Sequence, residues 1–178
     1  AKLSEDECKN LVRVYREVNH KVIELWRECD RALEFMANST DKGYYLDKHK
    51  CVHIEKGRIR LPNGMCIYYP DLRWDTSESK GGVVYKSRRG TVNIWGGSVV
   101  ENVVQALARI VIGEQMLKVS QVYPVVLTVH DAIVCVAPEE EKDVALEKIM
   151  KIMSEPPEWG KDLPIACEGD YANNYGDC

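Results

Sequence analysis

Two polar residues with chemical potential, His130 and Asp131, interrupt a stretch of strand-forming residues from Val122 to Val136. Val125-Val126-Leu127-Thr128-Val129 precedes them and Ile133-Val134-Cys135-Val136 follows, so the pair belongs at the connection of two β-strands. A hairpin tip wants a polar residue for its own sake, and Asp is a common one. The same placement holds a carboxylate rigidly at a strand end, where it can take one site on a Mg²⁺ ion that keeps its other positions for water and phosphate oxygens. A two-metal phosphoryl-transfer site needs at least one more carboxylate to bridge ions about 3.5–4 Å apart.

Three other groups invite a chemical reading. Glu101, Gln105 and Arg109 recur at steps of four with Asn102 beside them, a polar stripe on an otherwise apolar helical segment. Lys80, Lys86, Arg88 and Arg89 fall in a stretch with no acid between residues 79 and 100, which suits phosphate contacts or a solvated surface. His49, Cys51 and His53 alternate, so a strand would turn all three to one side as ligands require. No fourth ligand is apparent nearby, and the spacing is unlike common structural zinc sites. Trp26, Trp74, Trp95 and Trp159 read as packing residues, and Glu139-Glu140-Glu141 as the start of a helix.

The elements that must position these residues follow from hydrophobic period. Leu11, Val14, Tyr15, Val18, Val22, Leu25, Trp26, Cys29, Leu33 and Met36 predict one long amphipathic helix over residues 5–37, with Ser4 and Glu7 as its capping box. From Asp41 to Gly97 the pattern breaks into short extended pieces, including a hairpin at 58–69 around Asn63-Gly64. Residues 98–118 are helical again through Val100, Val103, Val104, Leu107, Val111 and Ile112. After the strand pair, Pro138 and its acids open a helix to Met153, and Pro164 to Asp170 is a last short strand. The expected class is α+β: a β-hairpin and a C-terminal strand in an antiparallel sheet packed on helices, with a long N-terminal helix. A helix and hairpin region at 1–97 and an α-β-β-α-β region at 98–178 form one compact unit.

Thr128-Val129-His130-Asp131 between hydrophobic strands resembles motif C of the family A DNA polymerases of bacteria and phages. Tyr15-Arg16-Glu17-Val18-Asn19-His20-Lys21-Val22-Ile23-Glu24-Leu25-Trp26 is similar to a helix behind the fingers of phage-type members. Leu61-Pro62-Asn63-Gly64 with Tyr68-Tyr69-Pro70 resembles the hairpin that follows it. Gly96-Gly97 with residues 101–109 resembles the palm helix before motif C, and Asp162-Leu163-Pro164 to Gly169 the closing strand. The resemblance implies the back of the fingers plus the C-terminal half of a palm-type sheet, part of a DNA-directed nucleotidyltransferase that extends a primer with two Mg²⁺ ions. It makes Asp131 the metal ligand, puts His130 near the primer terminus, and makes Glu101, Asn102, Gln105, Arg109, Lys86, Arg88 and Arg89 the DNA-contact set. Its partners would be primer-template DNA, deoxynucleoside triphosphates and the missing N-terminal part of the same polymerase, in the cytoplasm, that of the host for a viral protein.

The sequence departs from that pattern in two ways. Ala132 stands where the family commonly has Glu, and Glu101 falls where a groove-reading Gln is expected. The second metal-binding Asp and the fingers helix that holds the triphosphate are not found. Asp75-Thr76-Ser77-Glu78 sits in a polar turn, and Asn174-Tyr175-Gly176 lies at the wrong terminus without upstream cations. By itself this chain should not polymerise DNA. The competing reading is a non-catalytic nucleic-acid or interaction module on the α-β-β-α-β core. A phosphohydrolase with adjacent His-Asp ligands would carry the pair on a helix.

Composition bounds all of this. The 178 residues carry 24 Lys and Arg against 28 Asp and Glu, a net charge of −4, with 45% hydrophobic residues. That is the size and make-up of one globular domain. Residues 138–178 hold eleven acidic and four basic residues, leaving the rest of the chain slightly basic. Seven cysteines without a C-x-x-C pair suggest reduced thiols in a cytosolic protein. No run of 18 apolar residues predicts a membrane span.

Overall fold

A computed structural model describes residues 3–76 and 81–177. Lys80 of the basic run and Ser77-Glu78 lie outside the described residues. The fold is mixed α+β, with α-helices and short antiparallel sheets. The chain divides into two compact units, Ala1–Val104 and Gln105–Cys178, and the division falls inside a helix rather than at residues 97 and 98.

The first unit opens with α1 (Glu5–Val18) and α2 (His20–Asn38) in place of the single long helix expected. Asn19 makes the break: its backbone N–H and its side-chain amide both donate to the Tyr15 carbonyl, at 2.9 and 3.0 Å. An Asn side chain that satisfies helix carbonyls locally competes with helix continuation. The capping box at Ser4 and Glu7 is present, with the Ser4 N–H and hydroxyl both donating to Glu7 at 2.8 Å. The two helices differ in burial. No residue of α1 is buried, whereas Cys29, Ala32, Leu33 and Met36 of α2 form a buried stripe at helical spacing.

That stripe packs over a four-stranded antiparallel sheet of β1 (Tyr44–Tyr45), β2 (His53–Glu55), β3 (Arg58–Arg60) and β4 (Cys66–Tyr68). Ile54 and Ile59, paired across β2 and β3, are fully buried, while Arg58 and Arg60 alternate to the outside. The expected hairpin is the β3–β4 connection, where Gly64 takes the left-handed backbone (φ 83°) and the Leu61 N–H donates to the Met65 carbonyl at 2.8 Å. A second sheet consists of β5 (Arg73–Asp75), β6 (Gly82–Ser87) and β7 (Gly90–Ile94). The helix α3 (Gly96–Val119) then begins against α2. Only glycine fits at its start, because a β-carbon at Gly96 would lie 1.9 Å from the Trp26 carbonyl oxygen. The Gly96 N–H donates to the Asp30 carboxylate at 2.5 Å, an anion suited to a helix N-terminus.

The second unit contains the rest of α3, the hairpin β8 (Val125–Val129) and β9 (Ala132–Cys135), and α4 (Lys142–Met153). Glu139–Glu141 form a 3₁₀ turn, so the α-helix begins four residues later than Pro138 suggests. The expected C-terminal strand at 164–170 is absent. Pro164 has no N–H to give, and the segment instead packs on α4, where Gly169 fits closely beside Leu146 and Met150. The sheet in this unit therefore has only β8 and β9.

Two of the four tryptophans are not packing residues in the expected sense: Trp74 and Trp95 are 59% and 52% exposed. Trp95 still meets Trp26 edge-on, ring centroids 5.1 Å apart. Among the described residues no helix is long and apolar enough to cross a membrane, and no disulfide joins the six described cysteines.

Candidate functional site

The β8–β9 hairpin carries His130 and Asp131 as its two-residue turn, closed by the Val129–Ala132 pair. His130 has φ 53°, in the left-handed region that a residue with a β-carbon enters at a cost of about 1–3 kcal/mol. Hairpin turns of this length favour glycine or Asn there. Both side chains are exposed, and neither makes a hydrogen bond or ion pair among the described residues. The carboxylate of Asp131 therefore has its oxygens free for a ligand outside the chain. Val126 is the extra residue of a bulge in β8, since Val125 faces Cys135 and Leu127 faces Val134. Val126 and Leu127 are 59% and 46% exposed.

Asp131 fits one carboxylate ligand of a Mg²⁺ ion and no more. Among the described residues no three His, Cys, Asp or Glu side chains converge to hold a metal. The alternating trio does not lie in one strand: His49 is in a turn, Cys51 follows it outside any strand, and only His53 is in β2. That turn is organised by Asp47, whose carboxylate accepts backbone N–H groups from His49, Cys51 and Val52 at 2.7–3.1 Å. Lys50 turns it with φ 58°. His53 turns to Glu55, 3.1 Å from its Nδ1.

The basic run becomes a structural feature. Arg88 and Arg89 are the two-residue turn joining β6 to β7, with Lys86 one residue before its closing Ser87–Gly90 pair, and all three cations are exposed. The Ser87 hydroxyl stiffens this tip by accepting the Arg89 N–H at 3.1 Å and donating to the Gly90 carbonyl at 2.9 Å. The polar stripe of α3 is exposed at Glu101, Gln105 and Arg109. Asn102 is different: it is half-buried, and its amide donates to the Tyr69 hydroxyl at 3.0 Å, tying α3 to the chain just past β4. Tyr69 is itself buried, which pushes its hydroxyl pKa up while the Asn102 bond opposes the rise.

Sequence reasoning passed over Gln115. It is buried, and its amide donates to the Met153 and Glu155 carbonyls at 2.7 and 3.1 Å, so it closes the end of α4. A lone Gln on an apolar helix carries no sequence signal for such a long-range cap. A cleft of about 570 Å³ also lies in the first unit, lined by α1, α2 and Trp95, and it includes none of the expected site residues.

The chain is thus α+β, with a His-Asp hairpin turn that has no partner among the described residues. Compared with known proteins, the chain is similar to the "DNA polymerase" of Bacillus phage SP02, 30% identical over 183 aligned residues that take in 97% of this chain and 28% of that protein. It spans little more than a quarter of the length of this curated relative. No family model matches the chain, and no solved structure does.

Proposed function

We propose that this chain is part of a family A DNA polymerase of the phage type, comprising the back of its fingers and the C-terminal half of its palm. The observation that carries the reading is the tight hairpin turn on which Asp131 stands exposed and free of any protein partner. The similarity to a phage DNA polymerase along nearly the whole chain supports it. So does the state of the hairpin: a two-stranded ribbon with exposed Val126, Leu127 and Val136 is marginal in water unless further structure covers it.

In the intact enzyme Asp131 would hold Mg²⁺ together with a second carboxylate supplied by another part of the protein. Bound there, the metal supplies charge neutralisation at the transferring phosphoryl group. The chain's own contribution is positional. The β8–β9 ladder fixes the carboxylate in a two-residue turn, and the imidazole of His130, beside it in the same turn, would lie near the primer end. The cations at Lys86, Arg88 and Arg89 and the polar groups at Glu101, Gln105 and Arg109 would meet primer-template DNA, while Asn102 serves there by anchoring α3 through Tyr69.

The test is primer extension by the full-length polymerase that carries this segment, compared with its Asp131→Ala variant. Losing a metal ligand worth several kcal/mol should lower the extension rate by about a thousandfold. Extension at the unaltered rate sinks the proposal in favour of a non-catalytic module.

A further inference from the structure

The positive charge of this chain is concentrated in its strand-rich part. Residues 40–95 carry eleven Lys and Arg against six Asp and Glu, an excess of +5 in a chain whose total is −4. The four-stranded sheet buries one face, through Ile54 and Ile59, and on the other His53 and Glu55 are half-buried while Arg58, Arg60 and Tyr68 are exposed. On the outer face Tyr45, His53 and Arg60 form one cross-strand row, and Glu55, Arg58 and Tyr68 the next. Glu55 is the acid in these rows. It accepts the Nε–H of Arg58 at 2.6 Å and of Arg60 at 2.9 Å, with His53 Nδ1 at 3.1 Å.

This arrangement sets two guanidinium groups side by side on a rigid support. Both engage Glu55 through Nε, which leaves the Nη groups of Arg60 without a partner among the described residues. One carboxylate does not neutralise two arginines, so the face keeps a net positive charge. Beside Arg58 stands Tyr68, 60% exposed, and Tyr45 is 45% exposed against the His53 ring. Exposed aromatic rings interleaved with arginines on a sheet suit unpaired bases, which stack on the rings while their phosphates meet the cations.

We propose that this outer face, centred on Arg58, Arg60 and Tyr68, binds single-stranded nucleic acid. The phosphates lie on the arginine pair and a base stacks on Tyr68. A duplex hides its base faces and gains only the charge term, so the site prefers the single strand. The proposal deepens the polymerase reading and rests on it only for the identity of the strand, which would be template not yet copied. The binding itself needs neither a metal nor Asp131.

The experiment is fluorescence anisotropy of the whole chain with a labelled 12-nucleotide oligothymidine in EDTA, with a duplex of equal length and inorganic polyphosphate as the other arms. Tyr68→Ala should weaken single-strand binding about fivefold or more, and Tyr68→Phe, which keeps the ring, should restore it. Arg60→Gln keeps a hydrogen-bond donor toward Glu55 and should reduce the salt dependence by about 0.7 per decade, one phosphate contact. Circular dichroism confirms that the variants fold. Wild-type affinity in Tyr68→Ala, or equal affinity for strand, duplex and polyphosphate, overturns the proposal. Either result leaves the primer-extension comparison at Asp131 untouched, and a failure there leaves this binding intact, so the two readings fall separately.

Discussion

The β2–β3–β4 region and the β8–β9 hairpin are both short antiparallel ribbons, yet they are covered to very different degrees. In the first, Ile54 and Ile59 are completely buried beneath the Cys29, Ala32, Leu33 and Met36 stripe of α2. Its outer charges are cross-linked by ion pairs on Glu55. In the second, Val126, Leu127 and Val136 are largely exposed, and among the described residues no third strand joins and the polar turn has no partner. One region has a buried face of its own. The other holds up two polar side chains that make no hydrogen bond or ion pair among the described residues, and the lesson is that a packed face and an unpartnered polar turn are built on different ribbons.

The sharpest way to break that contrast is to cut into both apolar sets. Ile59→Ala should destabilise the chain by about 2–5 kcal/mol in chemical denaturation, because it leaves a cavity in a packed core. Val126→Thr should change stability by less than about 0.5 kcal/mol, as expected for an exposed position. Equal losses at the two positions would show that the hairpin is packed in solution and erase the distinction.

A smaller effect is expected at the polar link inside the second unit. Gln115→Ala strands two carbonyls at the end of α4 and should cost about 1–3 kcal/mol, seen as a lowered denaturation midpoint. No loss would mean that this helix end is satisfied by water.

The smallest effect is pH-dependent and sharpens the account of the first ribbon. Burial pushes the Glu55 carboxyl up, but hydrogen bonds from Arg58, His53 and Arg60 outweigh it and hold the pKa below the usual carboxylate value. A depressed carboxyl contributes stability that is present above its unfolded pKa and fades as pH falls through the lower folded one. The wild-type chain should therefore lose stability below about pH 4.5 more steeply than Glu55→Gln in pH-dependent denaturation. Parallel acid limbs would remove Glu55 from the stabilising network.

The outcome shows which signals are legible in a chain. Local chemistry reads well: the capping box at Ser4 and Glu7, the turn at Asn63-Gly64 and the strand-turn-strand around His130-Asp131 all appear, because each depends on residues within a few positions. Period alone misled at Asn19, where the apolar spacing runs on but an Asn side chain captures the Tyr15 carbonyl and ends α1. It misled again at 164–170, where an extended apolar segment found α4 rather than a strand. Strand pattern states that a segment is extended and not whether a partner edge exists. The alternation of His49, Cys51 and His53 likewise meant little once Asp47 gathered the backbone into a turn.

By itself the sequence determined the class of the fold, the hairpin that carries His130 and Asp131, and the likeness to phage polymerases, since these rest on residue type and short-range spacing. Only the tertiary structure decided that Asn102 is spent on Tyr69, that Gln115 closes α4, and that Arg58, Arg60 and Tyr68 share one outward face. Those assignments join residues brought together by packing and strand register, and no local pattern encodes which distant group a polar side chain will meet.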